Sequence, residues 1–347
     1  MRAVLIYDRL DFAGVRFLRK AFLHAADVFC GIPECVILCT DKKQLTADIL
    51  DLYEFLLGDR VRRFGVVKQL ARGDHIAGAF GLLRDYVPIV GVLIAKRHIG
   101  QGLSLLVEAG EHKVLFDTGA SDLFIRNARL MGVDLTDVEF VILSHGHRDH
   151  TGGLHTFLKM NSRAKVVCKQ EVFRRKFKNE RENGMLHPEA LDKSRFWLID
   201  ETTEIVPGVF AFADVRIVDR NDTHFEHFFV EIGGEMRPDT FEDELALILK
   251  SEKSLSVLSA CSHRGITNII RAVQTAFPGL GLKLVMGGFH IHNAGIEKFN
   301  VISAFLGMKL PKRLGVCHCT GIDKYALFRQ QFNDRVFYNY TGWVETI

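Results

Sequence analysis

The chain has 347 residues, 48% of them hydrophobic and 25% charged, a make-up that fits a folded globular protein and excludes a disordered one. Its 45 basic and 42 acidic side chains leave a net charge of only +3, so no molecule-wide field calls for a polyanion, and nucleic acid is not an expected partner. Arg2, Asp8 and Arg9 interrupt the opening apolar run, unlike a secretory signal, and no apolar stretch reaches the about 18 residues of a membrane span; a cytoplasmic protein without a membrane partner is expected.

In chain order, Ala3 to Tyr7 reads as a strand, Gly14 to Ala26 as a helix, Cys35 to Thr40 as a strand and Leu45 to Leu57 as a helix. In the last of these, Leu45, Ile49, Leu52, Phe55 and Leu56 recur at helical spacing, with Asp48, Asp51 and Glu54 between them. Cys30, Cys35 and Cys39 lack the CxxC pairs of structural zinc sites, and seven cysteines, an odd number over a long chain, argue against a disulfide framework. Residues 58–85, rich in glycine and charge, read as a connector. Residues 1–86 are therefore expected to form a small α/β N-terminal extension and 87–347 a second domain.

From Tyr86 the pattern turns β-rich. Leu103 to Val107 and Lys113 to Phe116 predict a hairpin ending at Asp117-Thr118-Gly119, and Phe140 to Leu143 predicts a buried strand delivering Ser144 and His145. A helix is expected from Thr151 to Met160. Leu245 to Leu249 and Leu255 to Ser259 predict a second hairpin, ending at Cys261-Ser262-His263, followed by a helix from Ile266 to Phe277. Strands at Leu282 to Met286 and Arg313 to Val316 end at Gly287-Gly288-Phe289-His290 and Cys317-His318-Cys319-Thr320-Gly321. Four strands thus end in metal-ligand or carboxylate side chains, which converge on one edge of a layered α/β fold.

The densest chemistry is His145-Gly146-His147-Arg148-Asp149-His150. Side chains two apart in an extended stretch face the same way, so His145 and His147 can hold one ion while Asp149 and His150 turn toward a neighbour. Arg174 and Arg175 belong to a basic run, Lys159 to Arg181, and are candidates to grip a phosphorylated or acidic small substrate, although Val172, Phe173 and Phe177 equally suit a solvated helix with one packed side. His290 is a candidate substrate contact, and His224 and His227 could lie on a loop over the site.

Ser144 to Gly153, Ser-His-Gly-His-Arg-Asp-His-Thr-Gly-Gly, resembles the signature of the metallo-β-lactamase superfamily. Gly102-Leu103-Ser104-Leu105-Leu106, Cys261-Ser262-His263, Gly287-Gly288-Phe289-His290 and His318-Cys319-Thr320-Gly321 are similar to its branch named for 7,8-dihydropterin-6-methyl-4-(β-D-ribofuranosyl)aminobenzene-5'-phosphate synthase. The resemblance implies an αββα sandwich and two divalent metal ions, zinc first, with manganese, iron and magnesium also compatible with the donors. It implies that His145 and His147 hold one ion and Asp149 and His150 the other, with His263 and His318 completing the set, Asp117 orienting a ligand histidine, and Asp149 also positioning the nucleophile. Many members carry a bridging aspartate where this chain has Cys261-Ser262-His263; either His263 replaces it or the bridge is absent. Cys317 and Cys319, flanking His318 in an extended segment, are expected to pack behind it. The expected activity is hydrolysis or transfer at a phosphoryl or pyrophosphate centre, on a pterin-like substrate. A lactonase or thioesterase, a redox di-iron protein and a non-catalytic metal-dependent sensor are the alternatives, and a homo-oligomer is compatible with the sequence.

Overall fold

Apolar residues alternating with a period of two place the strands between layers. In Ser104–Ala109, Leu105 and Val107 face one side and Leu106 the other; in His112–Phe116, Val114 and Phe116 oppose Leu115, and all are fully buried. A strand buried on both faces needs a partner layer on each. The computed structural model describes residues 1–7, 102–309 and 311–347.

Within them the first seven-stranded sheet runs Val344–Thr346, Arg2–Tyr7, Ser104–Ala109, His112–Phe116, Phe140–Ile142, Lys165–Cys168, Phe196–Leu198. The second runs Val336–Tyr338, Arg313–Val316, Gly281–Gly287, Ser254–Ser259, Ala246–Lys250, Val209–Phe212, Thr203–Val206. Each sheet is antiparallel in one half and parallel in the other. In the parallel halves the strand C-termini line up, and the site is built on those ends. A small third sheet, Glu235–Pro238, Phe228–Ile232, Lys176–Lys178 and Arg181–Glu182, lies beside the site.

The two large sheets face each other through Leu105, Val107, Phe116 and Ile142 on one side and Leu247, Leu249, Leu258 and Met286 on the other. Behind the first sheet, Leu106, Leu115, Val141 and Leu143 pack with Phe124 and Phe157 of helices Leu123–Leu130 and Leu154–Met160. Behind the second, Ile248, Val257, Val285 and Leu314 meet helices Ile266–Ala276, Ile296–Lys309 and Ile322–Phe332. The order of layers is helix, sheet, sheet, helix, as the resemblance implies. Each fully buried Leu, Ile, Val or Phe contributes about 1.5–3 kcal/mol, so the three apolar layers dominate stability.

Two expectations need amendment, and others fall where nothing is described. The strand Arg2–Tyr7 is not part of a separate extension: it pairs with Ser104–Ala109 and Val344–Thr346, and the larger compact unit is Met1–Asp11 with His98–Ile347. The elements expected between residues 14 and 57, and the boundary at residue 86, lie outside the described residues. The basic run is no single helix; it contains the strands Lys165–Cys168 and Lys176–Lys178 with a short turn of helix, Gln170–Phe173, between them. Val166, Val167, Cys168, Val172 and Lys176 are among its buried positions.

Candidate metal centre

The strand His112–Phe116 hands over to Asp117, whose backbone is left-handed, with φ of 62°. That turn aims a fully buried carboxylate across to the next strand end. Oδ1 accepts the Ser144 N–H at 2.7 Å, and Oδ2 accepts the Ser144 hydroxyl at 2.6 Å and His150 Nδ1–H at 2.7 Å. With the proton held on Nδ1, His150 presents its Nε2 lone pair to the cluster. Burial works to lower the His150 pKa, but the Asp149 and Asp117 carboxylates outweigh it and the net shift is upward.

The strand Phe140–Ile142 delivers His145 and His147 on either side of Gly146. Here only glycine fits, because a Cβ would lie 2.5 Å from the Val172 carbonyl oxygen. The Gly146 N–H is donated to Asp243 Oδ2 at 2.7 Å, and Asp243 Oδ1 in turn accepts from the buried Lys176 ammonium at 3.0 Å; that ammonium also donates to Asp239 at 2.6 Å. His145 Nε2 faces His147 Nδ1 at 3.1 Å, and His145 Nδ1 faces the Ser144 hydroxyl at 2.9 Å. Burial pushes both imidazoles well below their ordinary pKa, so both are neutral, ligand-competent bases at pH 7.

The facing sheet supplies His263, His290 and His318 from three successive strand ends. His263 follows Ser262, another left-handed residue with φ of 55°. Its backbone N–H is donated to Glu244 Oε1 at 2.6 Å, its Nδ1 lies 3.1 Å from the His224 carbonyl, and its ring stacks on Phe241 at 3.7 Å and 8°. Burial raises the Glu244 carboxyl to about 7 despite the N–H groups of Arg264 and His263 that it accepts. His290 and His318 are left-handed as well, each with φ of 51°. The His290 ring lies 4.2 Å from that of His263, and burial lowers both pKa values well below the ordinary one. His318 Nε2 lies 3.6 Å from Asp149 Oδ2, and the same oxygen lies 3.8 Å from His150 Nε2.

Of five overlapping donor trios among the described residues, two contain no cysteine, His145 with His147 and His263, and Asp149 with His150 and His318, the ligand atoms of each lying within 4.8 Å of one another. His147 Nε2 and His263 Nε2 are buried without a hydrogen-bond partner among the described residues. Orphaned acceptors of this kind are costly in a dry interior. A cation is the partner that satisfies both nitrogens at once, so the residues of that trio fit a metal ion. Each predicted ligand, with Asp117 behind His150, is therefore brought to one place.

Other expectations separate. His263 sits with His145 and His147, and Cys261 lies with its sulfur 3.2 Å from His150 Nε2. Cys317 packs in the inter-sheet core as expected, but His318–Thr320 forms a helical turn, which swings Cys319 round to within 4.8 Å of Cys261 and His318 donor atoms. Arg174 is tied to Glu242 at 2.7 Å and Glu171 at 3.3 Å, and Arg175 to Glu182 at 2.9 Å and Glu231 at 2.8 Å. These surface carboxylates occupy the guanidinium groups that were expected to hold substrate. His224 does cover the site, exchanging backbone contacts with His263, whereas His227 is exposed. Lys176, Asp243 and Glu244 were not singled out by sequence as site residues, and Cys261 was noted only as standing where a bridging aspartate is expected. The acidic pair immediately before the strand Ala246–Lys250, and a cysteine in place of a strand-end aspartate, were the available signals.

The family model described as the metallo-β-lactamase superfamily matches residues 97–238. A 7,8-dihydropterin-6-methyl-4-(β-D-ribofuranosyl)-aminobenzene-5'-phosphate synthase of Methanocaldococcus jannaschii is 30% identical over 258 residues, covering 67% of this chain and 85% of the relative. An uncharacterised protein of the same organism is 26% identical over 241 residues, covering 67% of this chain and 88% of its own. Among solved structures, that of Tm1679, a metal-dependent hydrolase of the β-lactamase superfamily, is 32% identical with a TM-score of 0.65, covering 73% of this chain and 94% of that one.

Proposed function

The chain belongs to the metallo-β-lactamase superfamily, and from that premise we propose that it is a two-metal hydrolase or transferase acting at a phosphoryl or pyrophosphate centre of a small, phosphorylated, pterin-like substrate. The observation that supports the metal pair is the presence of the two donor trios, the first of them with buried, unsatisfied imidazole nitrogens on His147 and His263. The substrate class is supported by the M. jannaschii relative, whose name gives a product with a dihydropterin and a 5'-phosphate.

When bound, a pair of divalent ions lowers the pKa of water and offsets charge on an attacked phosphoryl oxygen. The chain's own residues set the frame for that chemistry. Asp117 fixes the His150 tautomer, the His224 carbonyl does the same for His263, and Asp243 pins the Gly146 backbone so that both imidazoles of the pair face inward. Asp149 is about a quarter exposed, in contrast to the fully buried histidines around it, so its carboxylate stands where solvent or substrate enters and can hold the proton of a nucleophile. Phe228, with its ring 5.0 Å from those of both His147 and His263, gives the entrance an apolar wall for a flat heterocycle.

The test is metal analysis of the purified protein after supplementation, combined with turnover of a pyrophosphorylated pterin, a generic phosphodiester, a phosphomonoester and a lactone. Asp149→Ala is expected to abolish turnover of the phosphorylated compounds while leaving the circular dichroism spectrum unchanged. A protein that takes up no metal, or a variant that turns over normally, overturns the reading; turnover of the lactone alone overturns the substrate class.

A further inference from the structure

We propose that Lys178 is a substrate-binding residue, gripping a second phosphoryl group next to the one attacked at the metals, so that the chain selects pyrophosphorylated substrates over simple phosphodiesters. The proposal rests on the two-metal reading above and deepens it by naming a group that recognises the substrate.

The strand Lys176–Lys178 sorts the basic side chains between its two faces, because residues two apart point the same way. Lys176 and Lys178 share a face, and both lie over the aromatic wall of the metal centre. Lys176 Nζ is 5.2 Å from the centre of the Phe241 ring, and Lys178 Nζ is 5.4 Å from that of Phe228. Those rings in turn pack against His263, Phe241 at 3.7 Å and Phe228 at 5.0 Å. Arg175 and Phe177 take the other face, with the guanidinium 5.2 Å from the centre of the Phe177 ring.

The two lysines differ in what surrounds their charge. Lys176 is buried, and Asp239 and Asp243 neutralise it. Lys178 is exposed, stands opposite Phe228 in the register, and has no carboxylate or hydrogen-bond partner among the described residues. Elsewhere in the basic run, Lys169 donates to two backbone carbonyls and Arg174 to two carboxylates. Held only by the face of a ring, the Lys178 ammonium keeps its three donors for a ligand. His290 adds a second polar group beside the same ring. It lies 5.5 Å from Phe228, and its Nδ1 is buried with no hydrogen-bond partner among the described residues. Burial first, then the His224 and Lys178 charges, hold the His290 pKa down, so at pH 7 it is a neutral imidazole beside a cation.

A phosphate entering along Phe228 therefore has an ammonium and an imidazole nitrogen within reach. The ammonium exchanges a weak, exposed contact with the ring for a charge-assisted hydrogen bond to a phosphate oxygen, and leaves the ring face to the heterocycle. The metals hold the reacting phosphoryl of any phosphoester, so removal of Lys178 weighs most on substrates that carry a second phosphate.

The full-length, metal-loaded protein provides the test. Lys178→Met is expected to raise KM about 10- to 100-fold for a pyrophosphorylated pterin, with kcat little changed, and to raise KM for a generic phosphodiester far less. Calorimetric titration with methylenediphosphonate, a pyrophosphate analogue that resists hydrolysis, is expected to show a matching loss of affinity. Lys178→Arg is expected to keep most of that affinity. Lys159→Met, which removes the same charge from the helix behind the first sheet, is expected to match the wild type. Elemental analysis of each protein after titration separates lost metal from lost ligand. Equal methylenediphosphonate affinity in wild type and Lys178→Met, or an equal rise in KM for both substrates, overturns the Lys178 assignment and leaves the two-metal reading in place. A wild type that takes up no metal overturns both. If no phosphorylated compound is turned over, the calorimetry alone decides on Lys178.

Discussion

Asp117 shows how one buried carboxylate can fix several neighbours. It accepts from the Ser144 backbone, the Ser144 hydroxyl and His150, and its left-handed φ is one that asparagine tolerates. Asp117→Asn therefore preserves shape and removes the charge that orients His150. Metal affinity is expected to fall about 10- to 100-fold, with an unchanged circular dichroism spectrum, as measured by competition against a chelator. The buried histidines give a second expectation. His145, His147, His263 and His290 are held well below their ordinary pKa, so in the metal-free protein the unfolded chain takes up protons below about pH 6.5 that the folded chain refuses. The stability they contribute is present above that pH and lost as it falls; His150 and Glu244, both shifted upward, work in the opposite sense but are two groups against four. The denaturant midpoint of the apoprotein is expected to drop on acidification from pH 7 to pH 5, and a midpoint constant over that range would contradict the burial. Histidine and aspartate at fixed spacing are legible in a sequence because few other arrangements use them together. Cys261 was not, because a cysteine at the end of an apolar strand has the pattern of a core residue until its neighbours across the sheet are known.

At the level of elements, the strand ends bearing Asp117, Ser262, His290 and His318 all leave the sheet through a left-handed non-glycine residue. Such conformations cost of order 1–3 kcal/mol each and persist where the surroundings over-determine them. Here the hydrogen bonds of Asp117 and Ser262 and the ring packing of His290 supply that support. The strand Lys176–Lys178 contributes differently. Lys176 is almost fully buried between Asp239 and Asp243, and Asp243 in turn holds Gly146 between the first two histidines. Lys176→Met leaves two carboxylates buried without a cation, and is expected to destabilise the protein by about 3–5 kcal/mol in chemical denaturation. The basic run from Lys159 to Arg181 could not reveal this by composition. Charge counts do not distinguish a lysine in the core from Arg175, which is more than half exposed and paired with Glu182 and Glu231. The hairpin Ser104–Ala109 with His112–Phe116 was legible, because alternation and the turn at Gly110 are local signals.

At the scale of the molecule, two sheets with parallel halves bring strand ends from distant parts of the chain to one edge, which is why residues as far apart as Asp117 and His318 share a centre. The two-sided burial of Leu105, Leu106 and Val107 already implies layers on both faces, but which strands neighbour one another is a long-range property, and the place of Arg2–Tyr7 could not be read from its own residues. Its register has a topological consequence. Arg2 stands opposite Glu108 and Tyr7 opposite Ser104, so the chain departs from the sheet and rejoins it at the same rung. Those two strands pair as the arms of a hairpin do. Closing such a connection costs only about 0.6 kcal/mol more for each doubling of its length. Replacing residues 8–101 by a short Asn-Gly turn is accordingly expected to preserve the metal content measured by elemental analysis. The sandwich carries its own continuity from the first strand to the second.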